Sequence, residues 1–347
     1  MQKSPKPWVF PFQILASLGV IALLVGQADG ARIREELAGA SIGWLLIATL
    51  IKAASLTLHE VRLWISLWPD YRRPGWPVIA IGYTSGLANA VLPARGGDIV
   101  AAALLKKEVD VPVPAALAAV GVTALLEALV FALFLLGVMV VGATQWEQLI
   151  GPQKAQQAKL LLIGCCIFAL LVAAVSIAMA RRKNGDGSER KGLVGLIRGI
   201  LEATGSSLGA GRYVVLNLIL AAVQVVFVVG CFAALLPTVG LELEPDMPLM
   251  AVSGVIAFGA LSAIVLPPSL GAGPAVAAVF VFGMFGVSED QALAFAAMSW
   301  IANTAPVVLL GFVPLWRRLR HFGSLKSLVS GVEESSLSTS PQKDPHS

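Results

Sequence analysis

Two long apolar segments are interrupted by Val91-Leu92-Pro93-Ala94-Arg95-Gly96-Gly97-Asp98 and by Val265-Leu266-Pro267-Pro268-Ser269-Leu270-Gly271-Ala272-Gly273-Pro274. Proline removes a backbone donor and glycine loses the most entropy in a helix, so both segments are predicted to break there. Irregular backbone at bilayer depth is tolerated only where protein or a water-filled cavity satisfies its polar groups. Paired breaks in two halves of a chain are typical of a transporter's binding site. The pattern favours transport across a membrane.

The composition excludes a water-soluble globule. Hydrophobic residues make up 57% of the 347 and charged residues 13%, and the mean hydropathy is +0.81. Six apolar segments reach or approach the roughly 20 residues that cross a bilayer. They are 9–26, 41–66, 115–142, 159–180, 213–236 and 291–315. The lysines and arginines flank these segments, so the net charge of +4 reports topology rather than nucleic-acid binding.

The charges decide how the broken segments 77–105 and 249–287 are arranged. If each crossed the membrane once, Lys106-Lys107 and Arg181-Arg182-Lys183 would lie outside, although positive residues prefer cytoplasmic loops. We therefore predict that both segments fold back as re-entrant hairpins, which puts both clusters inside. The predicted fold class is all-α: a polytopic membrane helical bundle with about six crossings and two re-entrant broken-helix hairpins.

The same topology predicts inverted repeats. One hairpin enters from the cytoplasm and the other from outside, and each is followed by a crossing, which defines the elements 77–142 and 249–315. Four apolar or proline positions also match between the two breaks. Inverted repeats are typical of alternating access.

The domain organisation is simple. Residues 1–8 are predicted to be a cytoplasmic tail, and 9–322 an integral membrane domain whose first helix is retained rather than cleaved. Residues 323–347 are rich in Ser, Pro, Lys and Glu and are predicted to be a disordered cytoplasmic tail.

The first break carries the candidate ligand site. Arginine's planar fork can bind a phosphate bidentately, and the N–H groups at a half-helix start add positive potential, so Arg95 and Asp98 are predicted to contact a head group. The alternative is an Arg95–Asp98 bridge that only braces the turn. The second break has no charge and is expected to supply backbone amides. The predicted substrate-binding residues are Asn89, Arg95, Gly96, Gly97, Asp98, Ser269, Gly271 and Gly273.

Four of the ionisable residues within predicted spans, Lys52, His59, Arg62 and Glu127, are candidates for coupling or for an intramembrane charge. Glu127 must be paired, hydrated or protonated at this depth, and Lys52 is the expected partner. Lys52, His59 and Arg62 share one helix face, and Arg62 is expected to reach the interface near the helix end. Two roles are open for Glu127. It either contacts a lipid head group or takes up a proton that switches the conformation, or it only fixes helix packing through an ion pair with Lys52. No catalytic or metal-binding role is predicted for any of the four.

The motif Leu92-Pro93-Ala94-Arg95-Gly96-Gly97-Asp98, Glu127 in the next span, and Pro267-Pro268-Ser269-Leu270-Gly271 resemble the lysylphosphatidylglycerol synthase transmembrane family. The resemblance implies a polytopic domain that handles lipids. By position, Pro93, Arg95, Gly97 and Asp98 match its first motif, and Pro267, Gly271 and Gly273 approximate its second. Ala101, Thr123-Ala124 and Pro274 stand where relatives often carry charged residues.

The function predicted from these features is translocation or handling of a lipid or lipid-linked substrate in the inner (plasma) membrane, with both termini cytoplasmic. We expect no enzyme activity and no cofactor, since the chain carries no ATP-binding motif and no aminoacyl-transferase domain. The expected partners are a membrane lipid, with no nucleic acid, and either a second copy or a lipid-biosynthesis protein. Two alternatives stay open: a secondary transporter of a small polar solute, and a non-catalytic membrane subunit that presents lipid to a partner synthase.

Overall fold

The computed structural model describes residues 30–322 apart from 69, 92–95, 182–192, 245–246 and 266–271. The described residues form twelve α-helices and no strand. The helices are α1 (Gly30–Ala38), α2 (Ile42–Leu67), α3 (Gly75–Val91), α4 (Gly96–Val109), α5 (Val113–Val141), α6 (Ala143–Ile150), α7 (Pro152–Arg181), α8 (Leu193–Gly209), α9 (Gly211–Leu235), α10 (Pro248–Val265), α11 (Ala272–Met284) and α12 (Glu289–Phe322).

Five of these helices, α2, α5, α7, α9 and α12, are long and apolar enough to cross a membrane. They coincide with five of the six predicted crossings, which confirms the all-α polytopic bundle. The sixth predicted crossing, 9–26, lies outside the described residues, as do both predicted tails. Many apolar side chains face outward, including Leu50, Leu309 and Phe168, as expected for surfaces in contact with lipid.

Helices α3 and α4 form the first hairpin. Near the break, the Ser85 hydroxyl donates to the Gly97 carbonyl over 2.8 Å. Near the open end, one guanidinium, that of Arg318, contacts both Ala80 of α3 and Glu108 of α4. Because the two helices are close both near the break and near the open end of the hairpin, they run antiparallel. The break therefore reverses the chain instead of kinking one helix.

Helices α10 and α11 form the second hairpin. The rings of Phe258 and Phe280 lie 4.8 Å apart, and Gly254 faces Val281 so closely that a Cβ there would lie 2.9 Å from Val281 Cγ1. The two arms therefore also pack antiparallel on either side of the second break. The turn itself, 266–271, lies outside the described residues.

The two hairpins open at opposite ends of the bundle. Helices α2 and α9 run antiparallel, with the Ser41 N–H donating to the Thr238 carbonyl at one end and Trp68 meeting Tyr213 at the other. The first hairpin opens at the Trp68 end, where Trp64 Nε1 donates to the carbonyl of Arg73. The second opens at the Thr238 end, where Met284 packs in one cluster with Val239.

The packing has an internal symmetry. Helices α2–α5 and α9–α12 each run helix, hairpin, helix, and α6, α7 and α8 lie between them in the chain. The first helix of each half packs on the last helix of the other half: α2 packs on α12, and α9 packs on α5. The first arm of each hairpin does the same: α3 packs on α12, and α10 packs on α5. Two related halves of opposite orientation agree with the predicted inverted repeats. Each half also includes the helix before its hairpin, which the sequence-based elements 77–142 and 249–315 leave out.

Candidate functional site

A buried polar network centred on Arg62 joins the two halves. The Arg62 side chain is fully buried, and its Nε donates to Asn217 over 2.9 Å. Its Nη1 donates to Gln224 over 2.6 Å and to Glu127 over 3.1 Å, and its Nη2 to the Thr123 carbonyl over 2.8 Å. The prediction that Arg62 reaches the interface is wrong, because side chains of α5 and α9 and the Thr123 carbonyl accept its hydrogen bonds inside the bundle.

Glu127 is paired with Arg62 and with His59, not with Lys52. Its Oε2 lies 3.1 Å from Arg62 Nη1 and 3.0 Å from His59 Nδ1. The prediction of a Lys52–Glu127 pair is therefore wrong. Lys52 does share the α2 face, but it lines a different cavity further along the helix. Arginine is also the better partner, because its fork holds Glu127, Asn217 and Gln224 at once.

Beside this network lies a cavity of about 130 Å³ between α2, the first hairpin and α5, here called the hairpin-1 cavity. Its polar lining residues are His59, Glu60, Ser85, Asn89, Asp98 and Thr123. Three of them, His59, Asn89 and Asp98, are predicted site residues that the sequence places on three different helices. In the described part of the chain, no three His, Cys, Asp or Glu side chains are arranged to hold a metal ion.

Asn89 fixes the start of α4 against the end of α3. Its Nδ2 donates to Asp98 Oδ1 over 3.0 Å, and its Oδ1 accepts from the Gly97 N–H over 2.7 Å. A Cβ at Gly97 would overlap the Ser85 carbonyl and the Asn89 amide, so only glycine permits this approach. Gly96 begins α4. Arg95 lies outside the described residues, and both of its predicted roles stay predictions.

Glu60 is the ionisable lining residue that the sequence analysis missed, and Ser85 is a further polar one. Its side chain is buried, with 3% of the residue exposed, and it lines the hairpin-1 cavity. A Cβ at Gly82 of α3 would overlap its carboxylate, so this glycine makes room for it. Glu60 is off the face that carries Lys52, His59 and Arg62, because neighbouring residues on a helix point in different directions. The available signal was the acidic residue within a span.

The second break contributes to a separate cavity. This hairpin-2 cavity, of about 310 Å³, is lined by Gly273, Lys52, Ser299 and Asn303 among others. Ser269 and Gly271 lie outside the described residues. The predicted site residues are thus divided between two cavities instead of forming one site.

An apolar groove runs between α3 and α12 on the outside of the bundle. It has a volume of about 520 Å³ and is lined by Trp76, Tyr83, Leu309 and Val313, with Arg318 at one end. Arg318 holds Glu108 through two bonds of 2.6 and 2.9 Å, which ties the C-terminal part of α12 to the first hairpin.

These features define a multi-pass membrane protein with two oppositely oriented halves, a broken-helix hairpin in each, and ionisable side chains buried between helices. The chain belongs to the family described as lysylphosphatidylglycerol synthase TM region, which it matches over residues 12–311. No curated protein and no solved structure matches it significantly. Membership confirms the resemblance and associates this integral membrane protein with lipid handling.

Proposed function

We propose that the chain translocates a membrane lipid or a lipid-linked substrate between leaflets. In this proposal the two halves of the protein alternate between two relative arrangements. The observation that carries the proposal is the hairpin-1 cavity, which brings His59, Glu60 and Asp98 together at the tip of a broken helix. Ionisable groups at such depth are costly to keep and usually serve a substrate or ion pathway. A polar head group crossing the bilayer needs such a lining.

The groove between α3 and α12 supports a lipid as the substrate. Trp76 and Leu309 are 66% and 69% exposed along it, which suits an acyl chain that remains in contact with the bilayer. Arg317 and Glu108 lie at its end, where a polar head group would meet charged side chains. The groove borders the first hairpin, so a lipid held there lies next to the helix that carries the cavity.

Arg62 and Glu127 are proposed to bias the conformational equilibrium. The pair links α2 and α5 of one half to α9 of the other through Asn217 and Gln224. A proton or a cationic head group that competes for Glu127 weakens this link and favours the other arrangement. Such a ligand shifts the equilibrium only by its differential affinity for the two states.

The small size of the hairpin-1 cavity favours one other candidate function. About 130 Å³ suits a small polar solute or ion better than a large head group, so secondary transport of such a solute is the second proposal. We further propose an inner-membrane location with cytoplasmic termini, and a chain that has no enzyme activity or cofactor of its own. A partner synthase would supply any lipid-modifying chemistry.

Reconstitution separates these functions. Purified protein in liposomes with head-group-labelled phospholipid should expose the inner-leaflet label to an external quencher faster than protein-free liposomes. Glu60→Gln and Asp98→Asn keep side-chain volume and should slow this exchange at least about tenfold if their charges stabilise the crossing head group. Lys154→Met, on the exposed start of α7, is the matched control and should exchange lipid at the parent rate.

Solute uptake without lipid exchange would favour the second proposal. Inactivity in both assays would favour a subunit that presents lipid to a partner synthase. Lipid exchange at the parent rate in Glu60→Gln and Asp98→Asn would show that the hairpin-1 cavity is not on the translocation pathway.

A further inference from the structure

Lys52 is a half-buried cation that has no anionic partner in the described part of the chain. It lies near the middle of α2, a helix of 26 residues that is long enough to span the bilayer. The ion pairs formed by the described residues leave it out, and Glu127, its expected partner, is held by Arg62 and His59. An ammonium group at this depth requires a counter-ion or polar contacts.

The cavity that Lys52 faces is larger than the hairpin-1 cavity, and its described lining residues include no acid. Of its described lining residues, Ser299, Asn303 and Thr304 are polar and Lys52 is charged, while the remainder are apolar, aromatic, glycine or proline. Asn303 Nδ2 donates to the Ser299 carbonyl over 2.7 Å, and this amide nitrogen carries a second N–H. The polar groups thus include several donors and one positive charge.

The internal symmetry makes the hairpin-2 cavity the counterpart of the hairpin-1 cavity. One lies among α2, α3, α4 and α5, and the other among α9, α10, α11 and α12, with Lys52 added from α2. Their charges are opposite: Glu60 and Asp98 line the first, and Lys52 lines the second. The described lining of the hairpin-1 cavity thus carries acids, whereas that of the hairpin-2 cavity carries a single lysine.

We propose that the hairpin-2 cavity binds an anionic phosphate group, with Lys52 as its counter-ion and Asn303 and Thr304 as hydrogen-bond donors. Its volume of about 310 Å³ accommodates a phosphate ester together with ordered water. The phosphate comes either from a phospholipid head group or from the aqueous phase. The lipid source rests on the proposed function, whereas binding itself is measured without translocation.

The test measures ligand-dependent thermal stability of the full chain in neutral detergent. Sodium phosphate is titrated against sodium chloride of equal ionic strength, and micelles containing phosphatidylglycerol are compared with micelles containing diacylglycerol, which has no phosphate. A rise in Tm with phosphate identifies a free anion as a ligand, and a rise with phosphatidylglycerol alone identifies the lipid. Either response supports the proposal if it depends on Lys52.

The variants show whether the response comes from this cavity. Lys52→Gln should weaken binding at least about tenfold through loss of a charge-assisted bond, and Lys52→Arg should retain it. Asn303→Leu leaves the lysine in place and should weaken binding about three- to tenfold, so the test survives if Lys52→Gln fails to fold. Lys154→Met, outside the cavity, should bind like the parent.

A parent protein whose Tm responds to neither ligand, or a response unchanged by Lys52→Gln and Asn303→Leu, would overturn the anion site. The proposed translocation is judged separately by lipid exchange in liposomes. Binding without exchange removes the translocation proposal alone, and exchange without Lys52-dependent binding removes the anion site alone.

Discussion

Nη1 of Arg62 lies 3.1 Å from Oε2 of Glu127, and the same guanidinium reaches Asn217 and Gln224 on α9. One buried cation thus binds an acid from its own half of the protein and two amides from the other half. The Arg62 side chain is fully buried and that of Glu127 is 34% exposed, so removing Glu127 leaves a buried cation without its acid, which is more damaging than removing both members of the pair.

A double-mutant cycle tests this pairing. Arg62→Met should lower the free energy of unfolding by about 2–5 kcal/mol, because two buried amides, Asn217 and Gln224, lose the donor that they accept from, and Glu127 keeps only His59. Combining it with Glu127→Leu should cost clearly less than the sum of the two single changes. The measurement is denaturant unfolding in detergent micelles, followed by circular dichroism.

Lys52 supplies the control cycle. Lys52→Met and Glu127→Leu should be additive within about 0.5 kcal/mol, since the two side chains share no partner among the described residues. Strong coupling of Lys52 with Glu127, and none of Arg62 with Glu127, would contradict the arrangement described above.

The close approach at Gly97 predicts a second effect. Gly97→Ala places a methyl group against the Ser85 carbonyl and the Asn89 amide and should destabilise the protein by about 1–3 kcal/mol through overpacking. Gly121→Ala on α5 is the control, because a Cβ there meets no atom of the described residues within 4 Å. Thermal unfolding of both variants is the measurement, and equal Tm values would show that the first hairpin is not packed this way.

The contact between Arg318 and Glu108 predicts that two adjacent arginines differ sharply. Arg318→Ala removes the paired bonds to Glu108 and two buried bonds to α3, and we expect a loss of about 1–3 kcal/mol. The neighbouring Arg317 is exposed, so Arg317→Ala should change stability by no more than about 0.5 kcal/mol. Loss of stability is measured by chemical denaturation, and similar values for the two variants would count against the contact.

The opposite openings of the hairpins predict opposite accessibility. Lys107 and Ser288 are exposed beside the open ends of the first and second hairpins. In a chain lacking Cys165, Cys166 and Cys231, Lys107→Cys should react with a membrane-impermeant thiol reagent only from the cytoplasm. Ser288→Cys should react only from outside. Labelling of both positions from one side would refute the inverted arrangement.

The sequence by itself determined five membrane-spanning helices, the two breaks and the opposed orientation of the hairpins. These features depend on local chemistry: apolar length, the missing donor of proline, the flexibility of glycine, and the preference of Lys106-Lys107 for one side of the membrane. The Arg62–Glu127 pair, the burial of Glu60 and the separation of Lys52 into its own cavity were decided only by the tertiary structure. Spacing along α2 fixes which residues share a face, but not which helix meets that face or at what depth. Those depend on contacts between residues that are far apart in the chain, such as Arg62 with Asn217 and Gln224.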